Sequence, residues 1–380
     1  MALKQFFNRI WLGTADAYNA NVVPNSLGNK APFDIDNAIN IATVYTCIKI
    51  LSGTVSRLPL ATYKNDGKER VVDKNDYRYD LLHYNPNAWT TSQSFFAAIE
   101  TFRNLKGNAF ARIFRDNITG RATRFELVSP SRVKGYNVTN GNLYYNILVT
   151  TKGEDNEIKV NAMDMLHFRS PVSEDGIWSL NPIEAARMNL SATYKGYSTI
   201  DTFYDNNAAS PKAIKSTVQG ANQKVMLEAL NDFNNNYAGY QQAGKILPLP
   251  PNTEIQDLAL NFADAEFIDT IKFSAAQIAS IYGVPPHLVG VFEASKWSTV
   301  EATMLDFKTN ELAAVLKMYR TELEFKLFDL EERKSGMTIE FNDKGLIETD
   351  YKTRIDSYKQ MQQMGVMTAN QIAKLEGVET

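Results

Sequence analysis

Apolar positions recur along this chain with two alternating periods, and the switches between them mark its units. Ile41, Val44, Tyr45, Ile48, Leu51 and Val55 return every three or four residues. That spacing predicts an amphipathic helix ending before Pro59. Leu60–Tyr63 and Arg70–Val72 flank Asn65-Asp66-Gly67, which predicts a hairpin. Residues 92–106 carry Phe95, Ile99, Phe102 and Leu105 on one helical face, with Thr91 as N-cap and Gly107 as terminator. From Ala109 to Phe168, short strand-like runs are broken at Asn117-Ile-Thr-Gly120, Asn140-Gly141 and Lys152-Gly153. An antiparallel meander is the expectation there.

The helical period returns after Pro182, where Ile183, Ala186, Leu190, Tyr194, Tyr197, Ile200 and Tyr204 mark a long helix. A compact insertion, Pro211 to about Asp257, predicts strand, helix (224–237) and strand (245–249), closed by Pro248, Pro250 and Pro251. Ile268, Ile271, Ala275, Ile278 and Tyr282 mark the next helix, ending at Gly283. Residues 287–298 are irregular. A third long helix, about 299–333, carries Val300, Met304, Phe307, Val315, Met318, Phe325 and Phe328. Its stripe is interrupted at Glu311 and Glu322, so no regular heptad seam is expected. A strand at 337–341 precedes two helices, 349–364 and 368–376, split by Gly365. At the start, Met1–Gly13 is amphipathic and is expected to dock on a neighbouring subunit, while 14–36 reads as an extended arm. The fold class is α+β, with no internal repeat.

Composition changes this picture little. The 380 residues are 44% hydrophobic, enough for two or three packed units. Net charge is −3, unlike domains that grip nucleic acid by bulk charge. No apolar run approaches a membrane span, and Arg9 breaks any signal-peptide core, so no membrane partner is expected. The single cysteine, Cys47, lies among apolar residues and reads as a buried, inert thiol.

Candidate chemistry is thin. His83, His167 and His287 lack ligand-spaced partners, so no metal site is expected. Gly239-Tyr-Gln-Gln-Ala-Gly244-Lys245 has the spacing of a phosphate loop, but Ile246 stands where magnesium needs Ser or Thr. Its helix-then-strand order also reverses the strand–loop–helix geometry that aims amides at phosphate. Carboxylate pairs such as Glu154/Asp155 and Glu331/Glu332 match no catalytic pattern. The expectation is therefore no catalytic residue, no cofactor and no enzyme. Lys212, Lys215, Lys245 and Lys272 lie on or beside the helix–insertion–helix region and could meet DNA. Phe292, Lys296 and Trp297 form an aromatic–basic set in the irregular segment, an unusual place to leave large apolar side chains.

Six ordered signatures carry a family resemblance. They are Leu81-Leu82 with Asn85-Pro86-Asn87, Gly107-Asn108-Ala109-Phe110, Asp164-Met-Leu-His167-Phe-Arg169, Gly244-Lys245, Ile278-Ala-Ser-Ile-Tyr-Gly-Val-Pro-Pro-His-Leu-Val-Gly290, and Gly365-Val-Met-Thr-Ala-Asn370. In this order the chain resembles the portal proteins of tailed bacteriophages, specifically their shorter type. It departs from the family at Gln371, at Asn181-Pro182 and at Phe203–Ala208, with Pro211 one position late, which puts local turns in doubt.

The resemblance implies a ring of twelve copies at one capsid vertex, a channel for packaging and ejecting double-stranded DNA without sequence specificity. It implies an N-terminal arm (1–36), a wing (37–182 and 299–348) and stem helices (183–207 and 259–286). Between them lie a small α/β clip (208–258) and a tunnel loop (287–298), with a helical crown at 349–380. The implied partners are the terminase large subunit, then head–tail adaptors, with the major capsid or scaffolding protein around the ring. The implied location is the virion, after assembly in the host cytoplasm. Two alternatives remain at the level of sequence: another virion connector or adaptor, and a nucleotide-dependent hydrolase.

Overall fold

The computed structural model describes residues 38, 41–65, 70–151, 153–205, 212–216, 253–257, 265–291, 297–342, 351–369 and 372. Helix α1 (Ala42–Ser56) opens the described chain and turns its buried stripe, Val44, Cys47, Ile48, Leu51 and Val55, inward. Strands β1 (Leu60–Asn65) and β2 (Arg70–Val72) form the expected hairpin, with Tyr63 opposite Val72. The other edge of β1 is taken by β11 (Thr338–Phe341), with Leu60 opposite Phe341. Helix α2 (Tyr77–His83) is capped by Asp76. Helix α3 (Ser92–Lys106) is capped by Thr91 and terminated by Gly107 at φ 76°, as its sequence predicts.

The expected meander is two sheets instead of one. Strands β3 (Asn108–Arg115), β4 (Ala122–Val128) and β8 (Met165–Arg169) pair in the order β4-β3-β8. Strands β5 (Val133–Thr139), β6 (Asn142–Thr151) and β7 (Glu154–Asn161) form a separate sheet. The Asn140-Gly141 turn joining β5 to β6 has both residues left-handed, at φ 52° and 76°. That is the twist a two-residue hairpin requires. The physical reason for two sheets lies in β3 and β8. Ala109, Ala111 and Ile113 of β3, with Leu166 and Phe168 of β8, face one core. Phe110 and Met165, which alternate with them, face another, with Tyr136, Tyr145 and Ile147. The β4-β3-β8 sheet is thus covered on both faces, by helices and by the β5–β7 sheet.

The chain then passes through α4 (Pro182–Ala185) and α5 (Arg187–Asp205), which meet at Ala186. Strands β9 (Lys212–Ser216) and β10 (Thr253–Asp257) pair antiparallel. The strand that pairs with β9 therefore follows Pro248, Pro250 and Pro251 and ends at Asp257. The expected helix 224–237 and strand 245–249 lie outside the described residues. Helix α6 (Ala265–Ile281) ends, as expected, just before Gly283 at φ 63°.

The third long helix departs from expectation in three ways. It starts at Trp297, carries a π-helical turn, and breaks at Phe328. Its parts are α7 (Trp297–Asp306), the π turn (Phe307–Leu312), α8 (Ala313–Leu327) and, after the break, α9 (Leu330–Lys334). At the break Phe328 is extended, and an Asp329/Glu332 capping box starts α9. The buried Arg78 fixes this corner. It donates to the Leu327 carbonyl at 2.9 Å, pairs with Asp76 and Glu332, and stacks on the Phe328 ring. Helix α10 (Tyr351–Gln363) stops before the left-handed Gly365, and the Ile372 N–H donates to the Thr368 carbonyl.

Packing divides the fold into three cores. The first joins α2, α3 and α8 to the β1 and β3 sheets through Leu82, Phe95, Ile99, Phe125, Tyr319, Leu323 and Ile339. The second is a helix bundle of α1, α4, α5, α6 and the π turn, through Val44, Leu51, Ile183, Leu190, Ile278, Tyr282 and Phe307. The third lies between the two neighbouring sheets. No described helix is long and apolar enough to cross a membrane.

Candidate channel and assembly surface

The bundle ends in the segment that the sequence singled out, Ile278–Gly290. Ile278 and Ala279 are fully buried and anchor the last turns of α6. Tyr282 packs beside them, and its hydroxyl approaches the Asn104 carbonyl at 3.5 Å. Burial raises that hydroxyl above the ordinary tyrosine range. Gly283 then reverses the chain, with Val284 N–H donating to the Ala279 carbonyl at 2.9 Å. A Cβ at Gly283 would lie 2.4 Å from Cδ of Glu311, so the carboxylate of the π turn rests on this glycine's backbone. Pro285 and Pro286 stiffen the exit into a 3-10 turn, Pro286–Val289, which Gly290 ends at φ 84°. The irregular segment thus leaves the bundle in a fixed direction.

Of the aromatic–basic set, Phe292 and Lys296 lie outside the described residues. Trp297 is the first residue of α7 instead of a member of the irregular loop. Lys245 also lies outside the described residues. Lys212 and Lys215 are in β9, where the register sets them opposite Asp257 and Glu254. Lys272 is on an exposed part of α6.

Several large apolar side chains on the bundle are exposed. Met188 on α5 is 85% exposed, Phe273 on α6 64% and Leu305 on α7 54%. Tyr194 and Tyr197 add to the α5 face. A clue was available: these helices are apolar on more than the one stripe needed to pack them.

The buried polar groups serve the scaffold. Arg103 and Glu100 form a buried ion pair, with the Tyr319 hydroxyl donating to Glu100 at 2.9 Å and Asn104 Nδ2 donating to the same carboxylate at 2.8 Å. Burial disfavours the Arg103 charge, but Glu100, with Tyr319 and Glu311 adding, holds its pKa above the usual value. His167 sits between Tyr145 and Asn108, both at 2.9 Å. Asn108 Nδ2 donates to the Ser179 carbonyl, so its Oδ1 faces the ring. His167 therefore donates from Nε2 and accepts the Tyr145 hydroxyl at Nδ1, a neutral tautomer. Burial, with Arg169 and Lys326 nearby, pushes its pKa well below the ordinary histidine value. The ring has no free nitrogen for a substrate. Cys47 is buried, and its thiol is pushed up to about 12. Among the described residues no group of three or more His, Cys, Asp or Glu could hold a metal ion.

The decisive observation is the family comparison: the model of the phage portal protein family matches residues 42–377. The chain belongs to the phage portal protein family. It is 23% identical, over 93% of its length and 82% of the other's, to the portal protein of Enterobacteria phage HK97. Its portal fold is similar to the crystal structure of an HK97-family phage portal protein from Corynebacterium diphtheriae. That match has a TM-score of 0.60 at 12% identity, covering 83% of this chain and 98% of that one. A chain in the neck of a native gene transfer agent particle, computed with C12 symmetry, is similar at TM-score 0.55 and 17% identity, covering 93% and 97%. Portal proteins are structural virion components, not enzymes.

Proposed function

We propose that this portal chain is the subunit of a twelve-membered ring at one capsid vertex, through which double-stranded DNA is packaged and ejected. The match to the portal family over residues 42–377 carries this reading. The outward apolar side chains of the bundle support the ring. Met188, Phe273 and Leu305 are uncovered in a single copy, and head-to-tail neighbours would cover them. The twelve-fold symmetry used for the similar gene transfer agent neck supports the subunit number.

Within such a ring, α5 and α6 are stem helices, the β9–β10 region is the clip, residues 37–182 and 299–348 are the wing, and 349–380 the crown. The clip docks the terminase large subunit and later the head–tail adaptors, and the capsid or scaffolding protein surrounds the wing. Particles assemble in the host cytoplasm. The segment after Gly290 reaches into the channel with Phe292 and Lys296, Trp297 stands where it meets α7, and Lys212, Lys215, Lys245 and Lys272 lie along the clip and stem.

Negative-stain images of the purified chain test the ring. Rings with a central channel are expected, and only monomers or dimers across protein and salt concentrations would refute it. Lys296→Glu and Trp297→Ala test the loop. Rings should assemble in both while DNA packaging falls, and normal packaging in both variants removes the loop's role.

A further inference from the structure

Two structural irregularities face each other where the first core meets the helix bundle. The first is the π turn. Phe307 packs in the bundle and Leu312 in the first core. The five-residue step between them is one longer than an α-helix allows for positions on one face. The extra residue lets a single helix present one stripe to each of two cores that are out of phase. Glu311, at the α-helical position, belongs to neither core and lies against Gly283 instead.

The second is Gly53. Helix α1 also crosses between the cores, with Leu51 in the bundle and Val55 in the first core. Gly53 stands between these two residues. A Cβ there would meet nothing within 4 Å, so no packing demands a glycine. A helix-interior glycine is less stable than alanine there because it has more backbone freedom to lose on folding. The two irregularities line opposite sides of one open cleft of about 350 Å³, shared by Lys49, Gly53, Arg57, Leu288, Phe307 and Leu312. The last turn of α3 also reaches the bundle through Leu105, next to the left-handed Gly107.

We propose that Gly53 and the π turn form a hinge on which the helix bundle tilts against the first core, with the cleft as the space it closes. The π turn moves along its helix by exchanging one i→i+5 hydrogen bond for one i→i+4 bond, so no backbone group is left unpaired. The contact of Glu311 on Gly283 carries the Gly283–Gly290 exit along with it. The tilt of the bundle and the direction of the irregular segment are thereby one motion. This goes beyond the portal reading and does not depend on it.

Spin labels at Ile118→Cys, beside the first core, and Tyr45→Cys, on the bundle half of α1, test it in the full-length chain diluted with unlabelled copies. Both sites are exposed, at 94% and 55%, and the buried Cys47 stays unlabelled. The distance distribution is expected to be broad. Adding Gly53→Ala should make it roughly two-fold narrower, because alanine removes glycine's backbone freedom in the helix. A single narrow distance without the alanine, or equal widths with and without it, overturns the hinge. Amide exchange in the unaltered chain gives a second readout. Residues 307–312 should exchange faster than 313–327, and equal protection overturns the proposal. Neither readout depends on ring formation, so failure of the portal reading would register separately.

Discussion

The buried Arg103–Glu100 pair shows how a charged residue becomes indispensable without adding net stability. Two ions removed from water gain back their desolvation only through complete pairing. Here Tyr319 and Asn104 complete the Glu100 carboxylate. Arg103→Met leaves that carboxylate buried without its cation, and a loss of about 3–5 kcal/mol is expected in urea denaturation. His167 gives a pH dependence of known sign. Its folded pKa lies well below 6.5, so below that pH the unfolded chain binds a proton that the folded one refuses. Stability is full at neutral pH. It falls as pH drops through 6.5, by about 1.4 kcal/mol per unit, until the folded pKa is reached. His167→Gln keeps a donor and an acceptor without the titration. Thermal melts between pH 7 and 5 should be flatter for that variant, and an unchanged slope would assign the effect elsewhere.

At the scale of elements, two left-handed glycines give opposite expectations. A Cβ on Gly107 would lie 2.3 Å from the Leu180 carbonyl oxygen, whereas one on Gly120 meets nothing within 4 Å. Gly107→Ala should cost about 2–4 kcal/mol and Gly120→Ala about 1 kcal/mol, the ordinary left-handed penalty. Denaturation midpoints of the two variants decide it. Gly107 was legible in the sequence, as were Thr91, Gly283, Gly365 and the Asn140-Gly141 turn, because each acts on its own neighbours. The β4-β3-β8 sheet was not. Phe110 and Met165 are as apolar as the residues they alternate with, since both faces are covered, and a strand without alternation does not reveal its partners. The break at Phe328 was hidden for a related reason. Arg78, which holds it, is some 250 residues away in sequence. The interruption at Glu311 was visible as a fault in the stripe, but only the geometry identifies it as a π turn.

For the whole molecule, the family was legible because six short signatures occur in sequence order. The candidate surface was less so. The exposure of Met188, Phe273 and Leu305 depends on which helix faces the bundle leaves uncovered, and that is a property of packing. If those faces meet neighbouring copies, Met188→Glu with Phe273→Glu should abolish rings while leaving a folded subunit. Size-exclusion profiles and circular dichroism measure the two effects separately, and rings that persist would move the subunit contact to another face.

The pairing of β1 with β11 closes the first core over about 280 residues of chain. It also sets a clock. At roughly 5–20 residues per second, synthesis takes on the order of 15–60 s to travel from one strand to the other. Through that interval the nascent chain has made Leu82, Phe95 and Phe125 but not Tyr319, Leu323 or Ile339, which cover them. Each subunit thus emerges from the ribosome with half an oily interior waiting for its lid, among other chains in the same state. Chaperone supply and translation speed should therefore govern the yield of soluble subunits, before any question of symmetry arises.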